Sequence, residues 1–130
     1  NNYEDKVDFY QNFTLFIPNW TNDMAGMYTH NALKHMKYLF NSKNKIIEVA
    51  DPLAELIKIN DSIAITRYSN SYDNQNINII EIIDLKYHQR FIYQITIIAG
   101  ENMQEARKFL EFITNDEILN IFIKHGFQKI

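Results

Sequence analysis

The chain contains no cysteine. That removes disulfide staples, thiolate nucleophiles and cysteine-ligated metal sites together, and it fits either the cytoplasm or a disulfide-free periplasmic protein. Glycine is scarce, with only Gly26, Gly100 and Gly126, so a phosphate-cradling glycine loop of the P-loop or G-x-G-x-x-G form is excluded, and no G-x-S-x-G occurs. No apolar run approaches the roughly 20 residues that span a bilayer. The opening residues NNYEDKVDFY are polar and acidic, unlike a secretory signal peptide. Charge of one sign is also lacking: 13 basic and 16 acidic residues are interspersed for a net −3, which leaves no nucleic-acid footprint. The basic concentration from Lys34 to Lys45 is diluted by His35, Met36 and aromatic residues and reads as a solvated helix face. His30, His35, His88 and His125 are scattered, and the first two are five apart, neither i+3 nor i+4. Asp51, Asp61, Asp73 and Asp84 fall in turns or caps. Neither catalysis nor a metal or cofactor is expected.

What is present points to a folded globule. The 130 residues are 46% hydrophobic and 14% aromatic, enough for one domain with a real core. Residues 1–11 read as a loose lead-in or a helix fragment. Phe13 to Ile17 is a short apolar strand stopped by Pro18, and Trp20 to Gly26 is a loop. A helix follows from Met27 or Tyr28 to Phe40, with Ala32, Leu33, Met36 and Leu39 or Phe40 inward, closed by a turn at Asn41–Asn44. Lys45–Val49 is a second strand. Asp51-Pro52 is an N-cap followed by proline at the first helical position, opening a helix to Ile59. Further strands are expected at Ser62–Tyr68, Ile77–Ile83 and Phe91–Ile98. Strands alternating with helical patterns argue for an α/β layer structure.

The last stretch is the most sharply patterned. Asn102 is a candidate N-cap with Glu105 three residues on. Met103, Ala106, Phe109, Leu110 and Ile113 repeat at helical spacing. A polar break at Thr114-Asn115-Asp116 precedes a second helix bearing Ile118, Leu119, Phe122 and Ile123. Gly126 can take the left-handed conformation that ends it.

Open α/β sheets bind ligands where the carboxyl ends of strands meet helix N-termini. Three such places occur: Asp23 to Thr29, Glu48 to Asp51, and Thr66 to Asn70. The last offers a guanidinium, a phenol, a hydroxyl and an amide together. Every α/β protein has helix N-termini, so each place alone says little; convergence of the three would make a site.

The segment EARKFLEFITNDEILNIFIKHGF, following a strand, resembles the C-terminal signature of periplasmic solute-binding proteins of the molybdate-binding type. MAGMYTHNAL resembles that family's P-A-G-x-Y loop, with Met24 in place of proline. EVADPLAEL resembles its next helix start. The resemblance implies a type 2 binding-protein lobe: an α/β, mixed-sheet unit with flanking helices, ending in a two-helix C-terminal segment. It also implies ligand contacts from Ala25 and Gly26, from the Val49 N–H, and from a strand-end tyrosine. That tyrosine position falls on Arg67, or on Tyr68 after a one-residue shift, with Ser69 and Asn70 following. An arginine there brings a full charge and a fork suited to carboxylate or phosphate.

The resemblance covers roughly residues 12–127 but matches only the later part of the family pattern. Residues 12–90 correspond to the second ligand-binding lobe. Residues 91–130 correspond to the crossover strand and the final helices, which would pack on a first lobe missing here. The implied function is binding of a small anion (oxyanion, carboxylate or organic phosphate) by an extracytoplasmic, periplasmic solute-binding protein that feeds the membrane permease of an ABC transporter. A fragment of a longer protein, or a homodimer hiding Phe109, Phe112, Ile118 and Phe122, is expected. The alternative is a non-catalytic interaction or regulatory module that kept the lobe fold and associates through its C-terminal helices.

Overall fold

The computed structural model describes residues 13–36 and 45–129. Expectations that fall on residues 1–11, Leu39, Phe40 and Asn41–Asn44 lie outside the described residues. Elements run in the order β1 (Thr14–Pro18), α1 (Met24–His35), β2 (Lys45–Val49), α2 (Pro52–Leu56), β3 (Ser62–Ala64), α3 (Tyr68–Ser71), α4 (Met103–Ile113) and α5 (Asp116–Lys124). The chain divides into two compact units, Asn1–Arg90 and Phe91–Ile130.

The first unit is an α/β layer. Its sheet has the order β2-β1-β3 with both pairings parallel, Leu15 facing Ile46 on one side and Ile63 on the other. The described sheet is therefore parallel rather than mixed. A central parallel strand is covered on both faces and needs a continuous apolar run. β1 supplies one: Leu15, Phe16 and Ile17 are all buried. Alternation sends Leu15 and Ile17 to the face that also holds Leu33 of α1, with Met36, Ile46, Ile63 and Ile65 packed around them. Pairing of β3 with β1 extends past its ends, through Thr14 N–H to Asp61 O at 3.1 Å and Ile65 N–H to Phe16 O at 3.0 Å.

α1 begins at Met24, earlier than the expected Met27 or Tyr28, because Asp23 caps it and Gly26 fits it to the sheet. A Cβ on Gly26 would lie 2.3 Å from the Asn19 carbonyl oxygen and 2.6 Å from that of Pro18. Glycine is a poor helix former, but only glycine lets this helix turn sit on the end of β1. β3 is shorter than expected: its ladder stops at Ala64, and Tyr68–Ser71 closes into a single helical turn. The Asp51-Pro52 start of α2 is observed, with Asp51 Oδ1 accepting from Leu53 N–H and Ala54 N–H. The helix stops at Leu56, short of Ile59.

Ile77–Ile83 and Phe91–Ile98 were expected as strands, and neither joins the sheet among the described residues. β-branched side chains favour extended backbone, but a strand is a pairing, and strand preference largely expresses fit to a neighbour. Ile79, Ile80 and Ile82 in one segment, and Ile92, Ile95 and Ile98 in the other, are exposed.

The second unit carries α4 and α5. Asn102 stands at the N-cap of α4 without a capping bond, since its φ of −97° and ψ of 26° lie outside the extended region a cap requires. Asn115 does have that extended backbone, and its side chain accepts from Glu117 N–H at 2.9 Å. α5 ends in a Schellman motif: Gly126 has φ 82°, Gly126 N–H donates to Ile123 O, and Phe127 N–H donates to Phe122 O. The Phe127 ring then meets Phe122 and Tyr93 edge-on at 5.7 and 5.8 Å. No residue of α4 or α5 is buried.

Candidate functional site

In a parallel sheet all carboxyl ends fall on one edge. The order β2-β1-β3 therefore collects there the loops after Pro18, Val49 and Ala64, the same three segments singled out from the sequence. β1 lies between strands that come later in the chain on both sides, so a crevice is expected where its loop diverges from that of its neighbour.

The loop after β1 is held by its own side chains. Asn19 Oδ1 accepts from Thr21 N–H at 3.0 Å, Thr21 Oγ1 at 2.6 Å and Asn22 N–H at 3.3 Å. Trp20 N–H reaches Glu48 Oε2 at 3.4 Å, tying this loop to the end of β2. The Trp20 ring stacks on His30 of α1, with centroids 4.5 Å apart and planes 15° from parallel.

Asp23 and Arg67 join the loop after β1 to the loop after β3. Arg67 Nη2 lies 3.0 Å from Asp23 Oδ1. The same oxygen accepts the Ala25 N–H at 2.8 Å. Ala25 and Gly26 are buried in the first turn of α1, Ala25 by a half-turn of helix from the capping carboxylate and Gly26 against the Pro18–Asn19 backbone. Val49 is the last residue of β2, half-buried and in register with Pro18. It therefore lies in the strand, two residues ahead of the cap of α2. Tyr68, Ser69 and Asn70 belong to the α3 turn: Tyr68 and Asn70 are exposed and Ser69 is half-buried. Asn70 N–H donates to Arg67 O at 3.0 Å, which fixes the backbone that carries the guanidinium.

The structure thus brings Ala25 and Arg67 to one carboxylate and sets Val49 beside β1, the strand from which the loop to Ala25 departs. Tyr68, Ser69 and Asn70 follow on the turn beyond Arg67. Sequence reasoning passed over Asp23 as a partner for Arg67, although an aspartate just ahead of a helix is a cap signal. It also weighed His30 as a metal ligand or a catalyst, whereas its neighbour is an indole. Among the described residues no three histidine, aspartate or glutamate side chains gather as a metal site. An open depression of about 460 Å³, lined by Ile97, Ala99, Met103, Arg107, Leu110 and Glu111, belongs to the second unit and contains none of these site residues.

A family model for bacterial extracellular solute-binding proteins matches residues 5–128, nearly the whole chain. The chain belongs to that family. It is 23% identical over 107 residues to YvgL of Bacillus subtilis (strain 168), whose name describes an ABC transporter substrate-binding lipoprotein. The match covers 79% of this chain and 41% of that relative, so the chain spans less than half the relative's length. No solved structure matches.

Proposed function

We propose that the chain forms the second ligand-binding lobe and C-terminal part of an extracytoplasmic solute-binding protein. In this reading it binds a small anion at the carboxyl edge of its sheet and passes it to the permease of an ABC transporter. The observation that carries the reading is the convergence of the Arg67 guanidinium with the first turn of α1 at Asp23 and Ala25. N–H groups at a helix start and a fork-shaped cation both suit anionic oxygens. The family match and the name of the Bacillus subtilis relative support the transport role and the extracytoplasmic location. No helix among the described residues is long and apolar enough to cross a membrane. An oxyanion, a carboxylate or an organic phosphate all fit this chemistry.

Calorimetric titration of the natively produced protein and its Arg67→Ala variant with molybdate, inorganic phosphate and small carboxylates tests the reading. Losing a hydrogen bond to a charged group costs about 1.5–3 kcal/mol, so affinity for the bound anion should fall on the order of ten- to a hundredfold. Equal, negligible heat in both proteins removes the anion reading.

The second unit carries a companion proposal. Phe109, Phe112, Ile121, Phe122 and Ile123 are exposed on two helices with no buried residue. Covering each such side chain is worth about 1.5–3 kcal/mol, and we assign the cover to the first lobe of a longer polypeptide. The mass of the cell-extracted protein decides this. A band well above 15.5 kDa supports the two-lobe reading. A band at that mass, with a dimer in solution, favours the non-catalytic module that associates through α4 and α5.

A further inference from the structure

This inference rests on the anion-binding reading of the strand-end site and concerns its selectivity. Two of the donors assigned to an anionic ligand converge on a single atom, and that atom belongs to the protein. Asp23 Oδ1 takes the Ala25 N–H at 2.8 Å and lies 3.0 Å from Arg67 Nη2. The two charged residues are 44 positions apart, so tertiary structure makes the pairing rather than chain proximity. Neither side chain is deeply buried, with 39% of Asp23 and 33% of Arg67 exposed, so water can replace either partner and the pair can open.

We infer that Asp23 is the specificity-determining residue of the site, acting as an intramolecular competitor for anions. Its carboxylate occupies the position of a ligand oxygen and neutralises the guanidinium that reaches the helix start. An incoming anion has to draw Arg67 away from Asp23. Asp23 stays beside the site because it also accepts the Ala25 N–H that starts α1, so the bound anion shares the site with a negative charge. Repulsion between them scales with the charge on the ligand. A doubly charged inorganic oxyanion is therefore held weakly, and a singly charged carboxylate is penalised less. This sets the chain apart from a cage of neutral donors, which would hold a compact dianion by dipoles alone.

The substitutions Asp23→Asn and Asp23→Ser test the inference, because both residues still cap a helix while removing the charge. Molybdate is the probe, titrated calorimetrically into the natively produced protein, with circular dichroism confirming that each variant is folded. Both variants should bind molybdate more tightly than the parent. The partial exposure of the pair limits the gain to about two- to fivefold. The gain should vanish when Arg67→Ala is added, since it arises from releasing that guanidinium. A structural role for Asp23 alone would lower affinity in these variants, not raise it. Equal or weaker molybdate binding in both Asp23 variants, in a protein whose parent binds and whose Arg67→Ala variant binds poorly, overturns the competitor role and leaves the anion site standing. A gain that survives Arg67→Ala also overturns it. Absence of heat in the parent and all variants overturns both readings together.

Discussion

The two units treat amphipathic helices in opposite ways. In the first, α1 separates polar from apolar residues poorly, with Met24 and Met27 exposed, yet it buries five residues against the sheet. In the second, α4 and α5 have much cleaner apolar faces and bury none. An apolar stripe therefore marks a face that needs a cover but does not provide one. Burial in α1 comes from β1, whose three apolar residues are themselves enclosed, and from a glycine that lets helix and strand touch.

The largest effect that can break this contrast is at that glycine. Gly26→Ala places a methyl group 2.3 Å from the Asn19 carbonyl oxygen, and the obstruction is backbone, not a movable side-chain tip. Overpacking at a rigid contact costs about 1–3 kcal/mol and sometimes more. Thermal melting should show a lowered transition, with amide-exchange protection lost from β1 and α1 while the α5 amides keep theirs. Retained stability would show that the sheet end can shift away.

A matched pair of truncations sharpens the comparison at the next scale. Leu33→Ala removes a side chain that is 2% exposed and in contact with the core, whereas Phe112→Ala removes one that is 60% exposed. The first should destabilise by about 2–5 kcal/mol. The second should stay within about 0.5 kcal/mol in this 130-residue chain. In the natively produced protein, Phe112→Ala should instead cost measurably if another lobe covers that face. Denaturant midpoints in both contexts give the answer.

The smallest expected effect lies in the turn at the end of the first unit. The Lys86 N–H donates to Asp84 Oδ1 at 2.9 Å and holds that carboxyl below its ordinary 3.8. A lowered folded value favours the folded state above the unfolded value and loses that contribution as pH falls through the folded one. The Asp84 carboxyl resonance should thus titrate below pH 3.8, with no visible change in the melting transition, because the group is exposed.

What could be read from the residues alone follows the range of the interaction involved. β1, β2, the Asp51-Pro52 start, the polar break at Thr114-Asn115-Asp116 and the Gly126 stop are each decided within a few residues by sterics or a local hydrogen bond, and each is observed. The start of α1 was displaced because Gly26 argues against a helix on propensity, and only the Asn19 carbonyl explains its presence. Asn102 failed as a cap through its backbone angles, which no side-chain pattern encodes. The isoleucine segments at 77–83 and 91–98 announced an extended preference but not a partner. For the site, the loops could be placed because parallel topology gathers strand ends at one edge. The Asp23–Arg67 pair was not visible, since neither residue carries a local mark of the other.

One further property comes with the stack on α1. Trp20 is the only tryptophan in the chain, and it stands at the carboxyl end of β1, against the His30 imidazole and tied through its N–H to Glu48. The indole emission of the entire chain therefore originates at the edge where the site loops meet. The protein carries its own optical reporter there, already stacked on an imidazole, and no label has to be introduced.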